Sequence, residues 1–120
     1  MVTSVLVVDD DAGFLSLAVR LLGEMGVESV STAPDAASAV AAAGEKRPEA
    51  ALVDVGLPDR DGADLARQLA ALPWSPRVVL TSADSDAGRA IEARQGDRVL
   101  PFIPKADLAS DALLRLLTGE

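Results

Sequence analysis

Ala50-Ala51-Leu52-Val53-Asp54-Val55-Gly56-Leu57-Pro58 sets an apolar run against a carboxylate and then two chain breakers. The first four residues have the length and character of a fully buried strand, and Gly56 and Pro58 stop it soon afterwards. Asp54 therefore stands where a buried strand comes to the surface. An ionised carboxylate in that position is costly unless it is paired or bound to a metal. The rest of the chain must supply the partner.

Two further runs resemble it. Val5-Leu6-Val7-Val8 ends abruptly in Asp9-Asp10-Asp11, and Arg77-Val78-Val79-Leu80-Thr81 leads into Ser82. Both read as buried strands. Glu28 to Ala33 alternates polar and apolar residues around Val30, and Val99 to Ile103 is interrupted by Pro101. These two weaker strands belong at edges, where proline is tolerated. Helical patterns fill the gaps. Phe14, Leu17, Ala18, Leu21, Leu22 and Met25 form one stripe that Gly26 stops. Pro34-Asp35 opens an alanine-rich helix to about Lys46, and Asp61-Gly62 starts a third with Leu65, Ala66, Leu69 and Leu72 inward. Asp84 to Gln95 is the weakest helix, with only Ala87, Ala90 and Ile91 to bury, and a last one spans about Leu108 to Leu117. The rigid turn Pro73-Trp74-Ser75-Pro76 falls on the rim opposite Asp54.

Strict alternation of five strands and five helices implies crossover connections and a single α/β domain, expected over residues 1–120. Its five-stranded parallel sheet is doubly wound, (βα)5, with helices on both faces. With the three most apolar strands central, the strand order is 2-1-3-4-5. Ligands in such sheets bind beyond the carboxyl ends of the strands, near the switch point between the first and third.

Composition narrows the chemistry. With 49% apolar residues, 120 residues can bury a proper core, but Phe14, Trp74 and Phe102 are the only aromatics, so Val, Leu and Ala must build it. The net charge of −8 argues against direct binding of nucleic acid or an anionic membrane. There is no cysteine and no histidine, which removes disulfides, thiolate chemistry and the commonest general base. Met1-Val2-Thr3-Ser4 lacks the basic start of a signal peptide, and no apolar run reaches membrane-spanning length. A cytoplasmic location is expected.

The strand ends carry Asp9-Asp10, Asp54, Thr81-Ser82 and Phe102-Ile103-Pro104-Lys105. Three carboxylates in one crevice either hold protons or bind a cation, and a hard divalent ion suits an all-oxygen set without His or Cys. A phosphate there would find a point charge in Lys105 and a hydroxyl donor in Thr81. A carboxylate can itself be the nucleophile and form an aspartyl phosphate, with Asp54 the candidate. Each residue also has an ordinary reading. Asp caps helices, a role Asp11 can hold here, threonine is a common strand residue, lysine is mostly solvated, and Phe102 suits a core. The four strand ends together favour the chemical reading.

In this order and spacing, Asp9-Asp10, Asp54 with Leu57-Pro58 and Asp61-Gly62, Thr81-Ser82-Ala83 and Phe102-x-x-Lys105 resemble a response-regulator receiver domain of bacterial two-component signalling. The resemblance covers the whole chain and implies a flavodoxin-like fold, the sheet order derived above. It implies that Asp54 accepts a phosphoryl group from a partner histidine kinase or histidine phosphotransfer protein. Asp10, Asp54 and the Gly56 backbone carbonyl would ligate Mg²⁺ (or Mn²⁺), with Asp9 acting mainly through a bridging water. Lys105 would pair with the phosphate or with Asp54, Thr81 would bond a phosphoryl oxygen, and Phe102 would turn inward as an aromatic switch. The output face would be the fourth helix, fifth strand and fifth helix. The weakly anchored segment from Asp84 to Gln95 is expected to move.

Three departures stand out. Ala106 follows Lys105 where the family commonly has proline, Gly56 and Ala83 are small, and Phe102 lacks a hydroxyl. An open acyl phosphate follows, with a lifetime set largely by solvent attack. The domain is expected to be a signalling phosphoacceptor rather than an enzyme, without an output domain, monomeric or weakly dimeric, and acting on a downstream protein target or a missing output domain. A pseudo-receiver, an interaction module independent of phosphorylation, is the alternative. A hydrolase with an aspartyl nucleophile needs a second aspartate where Gly56 stands. A flavin binder would need a Ser/Thr-rich phosphate loop after the first strand.

Overall fold

The computed structural model describes residues 3–83, 94–95, 98–108 and 111–118, with the side chains of 94, 95, 98 and 99 excepted. Strands β1 (Ser4–Val8), β2 (Ser29–Ala33), β3 (Ala50–Asp54), β4 (Arg77–Ser82) and β7 (Phe102–Pro104) form one sheet in the order β2-β1-β3-β4-β7. All four pairings are parallel. This is the 2-1-3-4-5 order expected from the apolar character of the strands. The most apolar strands are central because they are buried on both faces, and β3 is buried at every residue.

Helices α1 (Ala12–Glu24) and α4 (Asp111–Thr118) cover one face, and α2 (Ala36–Lys46) and α3 (Gly62–Ala70) cover the other. The strand period of two divides the core accordingly. Val5, Val7, Leu52, Val79 and Ile103 pack with Phe14, Ala18, Leu22, Leu113 and Leu117. Leu6, Val8, Val53, Val78 and Leu80 pack with Ala36, Ala39, Ala43, Leu65 and Leu69. Small side chains on α2 let that helix lie close to the sheet. Three aspartates begin helices as the sequence suggests. Asp11 accepts the N–H groups of Gly13 and Phe14, Asp35 that of Ser38, and Asp61 that of Ala63. Gly26, at φ +97°, ends the turn after α1, where a side chain would be strained.

The carboxyl-terminal third departs from the expected pattern. Arg94–Gln95 (β5), placed at the end of a helix by its sequence, is instead a short strand paired antiparallel with Arg98–Val99 (β6). The rest of the expected helix, 84–93, lies outside the described residues. The fifth sheet strand is correspondingly shorter than Val99–Ile103. Pro101 has no N–H to give, so its carbonyl accepts from Leu80 while the strand proper starts at Phe102. Leu108 follows a single 3₁₀ turn, Lys105–Asp107, instead of opening the last helix. Trp74 does lie on the far rim, its indole N–H donating to the Pro48 carbonyl ahead of β3 at 2.9 Å.

Candidate functional site

Strand phase builds the site. Asp9 continues the alternation of Val5 and Val7, Asp54 that of Ala50 and Leu52, and Thr81 that of Val79. All three therefore fall on the α1/α4 side at the carboxyl ends of adjacent strands. Thr81 is the register partner of Asp54 itself. Oxygen atoms of Asp9, Asp10 and Asp54 lie within 4.8 Å of one another. Asp9 is fully buried, Asp54 nearly so, and Asp10 is exposed, which gives the cluster one wet side.

Asp9 is held at both oxygens. Its Oδ1 accepts the Asp11 N–H at 2.9 Å, and its Oδ2 lies 2.6 Å from the Lys105 ammonium. Among the described residues no hydrogen bond reaches Oδ2, so the ion pair is its partner. Lys105 Nζ stands 3.9 Å from Asp54 Oδ2, so Asp9 is the closer of these two carboxylates. Burial pushes the Asp54 carboxyl above its usual range, and Asp9 pushes it further. Lys105 and the Gly56 N–H act in the opposite sense. Two buried carboxylates, Asp9 and Asp54, thus share one ammonium beside the exposed Asp10, an arrangement short of positive charge. The all-oxygen donor set is compatible with binding a hard metal ion. Beside it the buried Thr81 hydroxyl has no hydrogen-bond partner among the described residues.

Gly56 is exposed, and a Cβ there would come to 3.9 Å from Asp54 Oδ2. Gly56 therefore puts no side chain of its own over the Asp54 carboxylate. Phe102 is not part of the cluster. It stands in register with Leu80, half-buried against the α2/α3 core, one residue out of phase with Thr81. Among the described residues no peptide bond is cis, so Lys105–Ala106 is trans.

Asp59 carries no motif or periodicity that would mark it from the sequence. Its carboxylate takes the N–H groups of Ala36 and Ala37, at 2.9 and 3.2 Å, and ties the loop after Asp54 to the start of α2. Those bonds, chiefly the one from Ala36, hold its carboxyl below the ordinary value of 3.8. A depressed carboxylate adds stability above its unfolded pKa, and that stability is lost as pH falls through the lower folded value. Asp59→Ala should therefore lower the thermal midpoint at pH 7, with the gap to wild type closing below about pH 4. A pH-independent gap in thermal scans would rule out this capping role.

The response regulator receiver domain family model matches residues 5–113. The chain belongs to that family. As a receiver domain it is a signalling module of two-component systems. The transcriptional regulatory protein PrrA of Mycobacterium leprae is 38% identical over 116 residues, covering 92% of this chain and 49% of that protein. The chain spans about half the length of the curated relatives it matches. Among solved structures, NtrX from Brucella abortus aligns with TM-score 0.81 and 30% identity over 99% of this chain and 27% of its own. Chemotaxis protein CheY4 of Vibrio cholerae aligns with TM-score 0.76 over 98% of this chain and all of its own, at 20% identity, and so bears on the fold alone. Among the described residues of this receiver domain, no helix is long and apolar enough to cross a membrane.

Proposed function

We propose that this receiver domain takes a phosphoryl group on Asp54 from a phosphohistidine of a partner kinase or phosphotransfer protein, the chain itself having no histidine. The observation that carries the reading is the buried Asp54 carboxylate, clustered with Asp9 and Asp10 and registered against an unpartnered Thr81 hydroxyl. An Asp54 oxygen forms the new O–P bond as the donor N–P bond breaks, and that electron pair returns to the imidazole nitrogen. Asp9, Asp10, Asp54 and the Gly56 carbonyl would hold Mg²⁺, or Mn²⁺, which supplies the positive charge that the three carboxylates lack. Lys105, already 3.9 Å from Asp54, pairs with the phosphoryl oxygens, and Thr81 donates its hydroxyl to one of them.

The added charge of about −1.5 to −2 then draws Thr81 and strand β4 toward the site. Phe102 is registered to Leu80, the residue before Thr81, and would follow through packing alone. We place the output surface on β7 and α4 and, by resemblance, on the chain between β4 and β7. The unit is read as one cytoplasmic receiver domain, monomeric or weakly dimeric, that acts on a protein target or an attached output domain. Gly56 leaves the acyl phosphate open to water.

Asp54→Asn tests the site. Mass spectrometry after exposure to a small phosphodonor and Mg²⁺ should show one added phosphoryl group on wild type and none on the variant. Equal labelling would remove Asp54 from its role, and an unlabelled wild type would leave the pseudo-receiver reading. The variant should also melt higher than wild type in metal-free buffer at neutral pH, because it deletes a charge that burial and Asp9 disfavour. That advantage fades on acidification, when Asp54 becomes neutral in wild type too.

A further inference from the structure

Phe14 is one of three aromatic residues in the chain, and among the described residues the buried core is otherwise Val, Leu, Ile and Ala. It lies in the first turn of α1, directly after the acidic run, and is buried among Val5, Val7 and Ile103 on the α1/α4 face. The Lys105 ammonium sits 4.2 Å from the centroid of its ring. An ammonium at that distance is attracted by the negative face of the ring, and more strongly where water is excluded. The same ammonium is 2.6 Å from Asp9 and 3.9 Å from Asp54.

From this geometry we infer that Phe14 is a positioning residue for the transfer at Asp54, its ring face keeping the Lys105 ammonium at the carboxylate cleft. The inference rests on the phosphoacceptor reading of Asp54. Asp9 cannot fill this role alone, because it also belongs to the acidic cluster and its charge is shared with any cation drawn there. A neutral ring has no such competing partner. Its attraction for Lys105 persists when the carboxylates turn elsewhere, so the long, flexible lysine stem does not swing out to solvent. An aliphatic side chain would fill the same space without attracting the charge.

The test uses the full chain with phenylalanine, pentafluorophenylalanine or leucine (Phe14→Leu) at position 14. Fluorination keeps the ring's shape while removing its negative face, so packing is held nearly constant. The Lys105 ε-methylene protons should show a ring-current shift in wild type that is lost in Phe14→Leu. Phosphorylation by a small phosphodonor with Mg²⁺ should slow by about fivefold in both variants. The thermal midpoint of the fluorinated protein should stay close to wild type. Variants labelled at the wild-type rate, or lysine protons with no ring-current shift, would overturn the positioning role. A wild type that takes no phosphoryl group would sink the phosphoacceptor reading and this inference with it; a labelled wild type with equally fast variants sinks the inference alone.

Discussion

Gly62→Ala should lower the thermal midpoint by more than about 10 °C, corresponding to about 3–5 kcal/mol, and should cripple phosphorylation of the fraction that still folds. A Cβ at position 62 would lie 2.0 Å from the Asp54 carbonyl oxygen, 2.6 Å from Val55 Cα and 2.8 Å from the Asp54 carbonyl carbon. All three are backbone atoms, so no side chain can rotate away. The backbone itself is pinned. Val55 N–H donates to the Thr81 carbonyl at 3.0 Å, and Gly62 N–H donates to the Val55 carbonyl at 3.1 Å. Relief requires moving the end of β3, which displaces the Asp54 carboxylate from Asp9, Asp10 and Thr81, or the start of α3, which breaks the Gly62–Val55 hydrogen bond that closes the loop after Asp54. Gly56 is the internal control. It flanks the same loop, but a Cβ there meets nothing closer than 3.9 Å, so Gly56→Ala should unfold within about 1 kcal/mol of wild type. Equal midpoints for the two alanine variants in denaturant melts would contradict the steric account.

Lys105→Met should cost about 3 kcal/mol in metal-free buffer at neutral pH, although it removes only one side chain near the surface. Asp9 is fully buried, and among the described residues its compensation beyond the Asp11 N–H is the Lys105 ammonium. Without it, a buried carboxylate faces Asp54 and Asp10 with no positive charge among the residues of the cluster. Breaking a buried pair costs more than the pair contributes, because the remaining ion keeps its desolvation penalty. Two controls follow. Combining Asp9→Asn with Lys105→Met should recover most of the loss, since the stranded charge is gone. Millimolar Mg²⁺ should stabilise Lys105→Met more than wild type, because a bound cation replaces the missing ammonium and binding to the folded state adds stability by mass action. A single variant as stable as wild type without metal would show that water already compensates Asp9.

Much of this molecule could be read locally. The apolar character of each strand placed it in the sheet, since a strand buried on both faces must be apolar throughout. Alternation then put Asp9, Asp54 and Thr81 at the carboxyl ends, and Asp11, Asp35 and Asp61 announced three helix starts. These features depend on neighbours along the chain, whose spacing the sequence displays. The reading failed where local preference was weak and tertiary pairing decided. Arg94–Gln95 has a tolerable helical pattern, yet it pairs with Arg98–Val99, and Pro101 moves the start of the last sheet strand to Phe102.

The finer parts of the site were decided in space. Asp59 reaches across 23 residues to Ala36, Lys105 lies closer to Asp9 than to Asp54, and Phe14 offers its ring to that same ammonium. None of these partners shares a turn or a strand, so no periodicity could signal them. The sequence by itself determined which residue types stand at the rim of the sheet, because strand length and alternation are local properties of the chain. Only the tertiary structure decided which charges meet, because that depends on how close separate elements pack and how little water remains between them.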